Sequence, residues 1–110
     1  MAMIAMCMPI LPGTKEMWLE MMKTVTEGPM ASQFKQSRKD AGVHERTYLQ
    51  ETPGGDFIIL TFEGENPAES FGKIMANMDA DFAAFAKEVH GLDPDAGPMP
   101  LPTLFFDSEA

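Results

Sequence analysis

The stretch VHERTYLQETPGGDFIILTF, residues 43–62, decides the fold. Two runs of strand-forming residues flank Pro53-Gly54-Gly55-Asp56, a cluster of turn formers, so Val43 to Gln50 and Phe57 to Phe62 read as the arms of a β-hairpin. Side chains alternate along a strand. His44, Arg46, Tyr48 and Gln50 therefore share one face of the first arm, and Glu45, Thr47 and Leu49 share the other. The second arm, Phe57-Ile58-Ile59-Leu60-Thr61-Phe62, is apolar on both faces. That pattern fits a strand in the middle of a sheet with something packed on each side.

Upstream, Met3 to Met8 is another run apolar on both faces, and Pro9 to Gly13 reads as a turn. From Thr14 the period changes to that of a helix, with Trp18, Met21, Met22 and Val25 on one stripe. Thr14 is placed to cap its first turn, with Met17 a poor partner for a capping box. Gly28-Pro29 interrupts the pattern. Met30, Phe34 and Arg38 continue it to Gly42, so this region is either one kinked helix or two consecutive ones. Downstream, Asn66-Pro67-Ala68-Glu69 is the best helix start in the chain, with an N-cap, a proline at N1 and a glutamate at N3. Phe71, Ile74, Met75 and Met78 follow at helical spacing. A further segment from Asp79 carries Phe82, Phe85, Ala86 and Val89 and stops at Gly91. Residues 93–110 form a proline-rich tail in which Leu104-Phe105-Phe106 is either a last short strand or part of an arm lying on a partner.

The order strand, helix, strand, strand, helix, strand is that of the ferredoxin-like βαββαβ fold: α+β, a four-stranded antiparallel sheet with helices on one face. At 110 residues the chain fits a single domain, residues 1–110. The uncovered face of such a sheet should be polar. The strand patterns are not, so a monomer would expose a large apolar patch. Pairing two sheets face to face would remove it. The expectation is a homodimer of the dimeric α+β barrel type.

Composition narrows the partners. With 8 Lys plus Arg against 17 Asp plus Glu the formal charge is −9, a field that repels nucleic acid and anionic lipid. No apolar run reaches the roughly 20 residues that span a bilayer. The opening MAMIAMCMP lacks a basic region, so it does not read as a signal peptide, and a cytoplasmic location is expected. The 11 methionines suit ordinary core filling or a soft cavity wall. Cys7 is the only cysteine, which excludes an intrachain disulfide. Its apolar surroundings suggest a buried, inert thiol.

The polar face of the hairpin's first arm is the first place to look for function. His44 can transfer a proton near neutral pH. Tyr48 can orient or deprotonate a substrate beside it, and these two are the candidate catalytic residues. Arg46 and Gln50 are candidate substrate-binding residues on the same face. The alternative is an ordinary polar strand face with Tyr48 at an interface. Trp18 is a packing anchor or, as a further substrate-binding candidate, a stacking platform. His90, beside Gly91, is placed to cap the last carbonyls of its helix. Ser37 to Asp40 reads as a solvated helix end, unless Arg38 ties the helix to the sheet through an acidic residue. Neither histidine has metal-ligand spacing. There is no G-x-G-x-x-G, P-loop, C-x-x-C or G-x-S-x-G pattern, and no cofactor or metal is expected.

The stretch Ser37-Arg38-Lys39-Asp40-Ala41-Gly42-Val43 with Glu45, and Leu49-Gln50-Glu51-Thr52-Pro53-Gly54-Gly55-Asp56, resembles small uncharacterised bacterial proteins of the dimeric α+β barrel superfamily. Phe82 to Phe85 and Val89-His90-Gly91-Leu92-Asp93 fit the same group. The resemblance spans roughly residues 9–107. Those proteins carry a tryptophan in the region of Phe85, where this chain departs from them. The superfamily includes cofactor-independent monooxygenases, haem-degrading enzymes, isomerases and ligand-sensing domains. The resemblance thus implies a homodimer joined through sheet faces, with a small aromatic or lactone-like molecule in its barrel. Such a protein would be monooxygenase-like or isomerase-like. The alternative is a non-catalytic ligand-binding or structural dimeric module.

Overall fold

A computed structural model describes residues 2–96 and 99–109. Along the chain lie β1 (Ala2–Ile10), α1 (Lys15–Glu27), α2 (Ala31–Asp40), β2 (Val43–Thr52), β3 (Gly55–Gly64), α3 (Pro67–Ala76) and α4 (Ala80–His90). The fold is α+β, a three-stranded antiparallel sheet with four α-helices among the described residues. The strand order is β1-β3-β2. Of the two runs apolar on both faces, β3 is the central strand, as its pattern predicts, and β1 lies at the edge.

The hairpin turn is tighter than expected. Thr52 pairs with Gly55, leaving only Pro53-Gly54 between the strands. Gly55 adopts a φ of 141°, a conformation open to glycine. Lys15 at the start of α1 pins this turn by pairing with Glu51 and, at 3.3 Å, with Asp56. At the other end of the hairpin, Gly64 lies against the carbonyl of Gly42, where a Cβ would strike backbone.

The helical region between β1 and β2 is two helices, separated at Gly28-Pro29. Thr14 does not cap α1; its Oγ1 donates back to the Leu11 carbonyl at 2.8 Å. A hydroxyl offered a nearby turn carbonyl takes it in competition with the cap. The two later starts form as their residues predict. Asn66 Oδ1 accepts from the Glu69 amide at 3.4 Å, and Asp79 Oδ1 accepts from the Phe82 amide at 2.7 Å. The Glu69 carboxylate accepts from the Asn66 side-chain amide at 2.8 Å rather than from its backbone.

Register places Met6 opposite Leu60 and Leu60 opposite Thr47, so Ile4, Met6, Met8, Ile58, Leu60, Phe62, Glu45 and Thr47 share a face. On this inner face Met6, Ile58 and Phe62 are buried. Two core clusters form under the helices. Met6, Val43, Phe62 and Phe71 make one, and Ile10, Trp18, Ile58 and Val89 make the other. Leu60 packs against both.

Two expectations are corrected. Leu104-Phe105-Phe106 is not a fourth strand; the three side chains are 77%, 96% and 80% exposed. Pro100 and Pro102 precede them, and each lacks the N–H that a ladder along β1 would use. As a result β1 is an edge strand rather than an interior one. Cys7 is exposed rather than buried, because it falls on the outer face of that strand.

Candidate functional site

A partly open cavity of about 580 Å³ lies between the helices and the inner face of the sheet. Its floor includes Met8, Ile58, Leu60 and Phe62. A cavity of this size holds a drug-sized molecule. Its origin is in the packing: the two core clusters join sheet to helices at either end, and the space between them is left open.

One side of the cavity is a row of rings. Phe34 lies 5.8 Å from Phe82, Phe82 lies 5.9 Å from Phe85, and Phe85 meets His90 edge-on at 6.3 Å, all between centroids. The spacing from Phe82 to Phe85 puts both on one face of α4. Phe34 reaches them from α2. Trp18 also lines the cavity, from α1, and is buried to 7% exposure.

A polar group closes the Phe34 end. Arg38 Nε donates to Glu45 Oε1 at 2.6 Å, and Thr47 Oγ1 donates to Glu45 Oε2 at 3.0 Å. Arg38 Nη1 donates to Ser37 Oγ at 3.1 Å, and the guanidinium stands 5.2 Å from the Phe34 ring centroid. Both members of the ion pair are about one-fifth exposed, so water screens them only partly.

His90 closes the other end of the ring row. Its Nδ1 lies 2.8 Å from the Pro9 carbonyl. A carbonyl only accepts, so Nδ1 carries the proton. His90 thus ties the end of α4 to β1, beside the bond from the Leu11 amide to the Val89 carbonyl at 2.8 Å. The expected capping role falls to the backbone instead. Gly91 turns left-handed at φ 70°, and its amide bonds back to Lys87. Burial lowers the pKa of His90, while the Pro9 carbonyl pulls it the other way.

His44, Arg46, Tyr48 and Gln50 stand together and exposed on the outer face of β2. That face is opposite the cavity. Arg46 approaches Glu63 of β3 at 3.8 Å. Their neighbours across the sheet are Phe57, Ile59 and Thr61 on β3, then Met3, Ala5, Cys7 and Pro9 on β1. Trp18 lies apart from them, on the cavity side. Among the described residues no three His, Cys, Asp or Glu side chains gather to hold a metal, and no helix is long and apolar enough to cross a membrane.

Strand alternation sets Glu45 and Thr47 on the face away from His44, and an acidic residue lies within reach of Arg38 at the helix end. Their union in one group at a cavity has no local signature and arises from the fold. Phe34 and Phe82 share no local pattern, being 48 positions apart, and only the tertiary fold brings their rings together.

Fold and site together define a small α+β domain with a ligand-sized apolar cavity between its layers. No family model, curated protein or solved structure matches the chain.

Proposed function

We propose that this protein binds a small aromatic or lactone-like molecule in the cavity between its helices and its sheet. The carrying observation is the cavity of about 580 Å³ lined by Trp18 and the ring row from Phe34 to His90. Aromatic walls offer stacking and edge contacts to a flat apolar ligand.

The same proposal includes the ferredoxin-like fold and a homodimer. In that fold the fourth strand lies beside the first, giving the order 4-1-3-2. The observed order β1-β3-β2, with a free β1 edge, supports that lineage. Met3, Ala5, Cys7, Phe57, Ile59 and Tyr48 on the outer face support pairing of two sheets. A cytoplasmic setting, where thiols stay reduced, would keep the exposed Cys7 unoxidised. The resemblance to the dimeric α+β barrel superfamily points the same way.

A second reading rests on a separate observation, the cluster of exposed His44, Arg46, Tyr48 and Gln50. In a paired barrel these residues would line the space between sheets. His44 and Tyr48 would then act on a substrate in monooxygenase-like or isomerase-like chemistry, and Arg46 and Gln50 would bind it. Replacing His44 with alanine should abolish turnover of a confirmed substrate while leaving the dimer folded. Unchanged kinetics would remove this reading.

Native mass spectrometry of the purified protein tests the main proposal. The expected result is a dimer carrying a small organic adduct, or one that takes up a naphthalene-sized molecule. A monomer at micromolar concentration overturns the paired architecture. Failure to bind any such molecule overturns the cavity as a site.

A further inference from the structure

The bonding of the polar end of the cavity restricts what its ligand can be, an inference that rests on the cavity being the binding site. Both oxygens of Glu45 are engaged, Oε1 by Arg38 and Oε2 by Thr47. On Arg38, Nε and Nη1 have protein partners. Among the described residues Nη2 has no protein acceptor. The guanidinium plane is held by the Glu45 carboxylate, the Ser37 hydroxyl and the Phe34 face. The site therefore offers a hydrogen-bond donor on a guanidinium held in place by the protein, with each oxygen of its carboxylate partner already accepting one bond.

The charge of this donor is already balanced by Glu45 at 2.6 Å. The other charged residues of the lining are Lys73, Asp40 and Asp79. Lys73 faces Glu69 at 3.6 Å, Asp40 accepts from Gln36, and Asp79 caps α4. Two cations thus stand against three carboxylates around the cavity, in a chain of formal charge −9. An anionic ligand would add a charge where carboxylates already outnumber cations and where Arg38 is paired with Glu45. A cationic ligand would bring its charge against Arg38. Removing either ion from water into an apolar cavity is costly without a partner.

We propose that the cavity selects a neutral, largely apolar aromatic molecule bearing one hydrogen-bond acceptor, such as a ketone, ester or lactone oxygen, and that Arg38 is the specificity-determining donor. The apolar body lies along the rings of Phe34, Phe82 and Phe85, and the oxygen meets the guanidinium at the Phe34 end. A charge-assisted donor is roughly twice as strong as a neutral one, so one such contact separates a ketone from a hydrocarbon of the same shape.

Four probes of one shape test this: 2-acetylnaphthalene, 2-naphthoate, 2-naphthylmethylammonium and 2-ethylnaphthalene. Trp18 is the only tryptophan, so its single indole N–H resonance reports occupancy of the cavity during titration. The ketone is expected to bind about tenfold more tightly than each of the other three. In the double variant Arg38→Met/Glu45→Met, which leaves no orphaned charge, the ketone and the hydrocarbon should bind alike. Arg38→Lys, which keeps the charge but loses the planar fork, should narrow the ketone's advantage. The hydrocarbon equalling the ketone, or either ion exceeding it, overturns the proposal and leaves the cavity as a site. Retention of the ketone's full advantage in the double variant also overturns it. If none of the four shifts the Trp18 signal, the cavity reading falls, and this inference falls with it.

Discussion

Arg38 on α2 and Glu45 on β2 meet at 2.6 Å across the short link that contains Gly42. The pair fastens the helix to the hairpin and sets the polar end of the cavity. Its two partners are seven positions apart, on different elements and on opposite sides of a left-handed glycine with φ 76°.

Glu45→Gln keeps the shape of the side chain and removes its charge. Arg38 then loses its ionic acceptor in a setting only one-fifth exposed. The expected cost is about 1–2 kcal/mol, read as a lower urea midpoint at an unchanged slope. The double variant Arg38→Met/Glu45→Met should recover much of that loss, since an apolar pair leaves no charge without a partner.

His90 sets a pH dependence of stability. Burial holds its folded pKa below the ordinary value of 6.5. The folded state therefore binds this proton less readily than the unfolded chain does. The contribution of neutral His90 is complete above about 6.5 and is lost as pH falls through the folded value. Urea unfolding of the wild type and His90→Gln at about pH 7.5 and about pH 5 isolates this effect. The wild type should lose more stability on acidification than the variant, and equal losses would count against the assignment.

Gly64→Ala should destabilise the protein by about 1–3 kcal/mol, because the new methyl group meets the Gly42 backbone rather than a side chain that can turn away. Gly54→Ala is the control. A Cβ at Gly54 meets nothing within 4 Å. Thermal melts of the two variants should separate clearly.

Ile59 lies on the outer face at the centre of the sheet, opposite Cys7 on one side and Tyr48 on the other. Under the proposed pairing of outer faces, Ile59→Asp should lower the sedimenting mass from two copies to one while preserving the circular dichroism spectrum. An unchanged sedimenting mass in the variant would overturn pairing through this face.

Much of the fold is legible in local residue chemistry. Pro53-Gly54 marks the hairpin, Gly28-Pro29 marks a break that the structure resolves as two helices, and Asn66 and Asp79 announce α3 and α4. These features act over a few neighbouring residues, and a turn, a break or a cap needs no distant partner to form. The tail was harder to read. Leu104-Phe105-Phe106 has the composition of a strand, but a strand exists only when another strand's backbone pairs with it. Cys7 misled for a related reason. Its neighbours are apolar, yet the face on which it lies is uncovered in the single chain.

Local residue chemistry settles the hairpin, the alternation that sets His44, Arg46, Tyr48 and Gln50 apart from Glu45 and Thr47, and the starts of α3 and α4. Local sterics and the two-residue period of a strand dictate those features. Which face of β2 looks into a cavity, the joining of Phe34 to Phe82 and Phe85 in one row, and the meeting of Arg38 with Glu45 at its end come from long-range packing. Those relationships depend on how far the helices stand from the sheet between the two core clusters. That distance is set by the packing of side chains remote in sequence, Val43 and Phe71 in one core cluster and Trp18 and Val89 in the other, which no local pattern encodes.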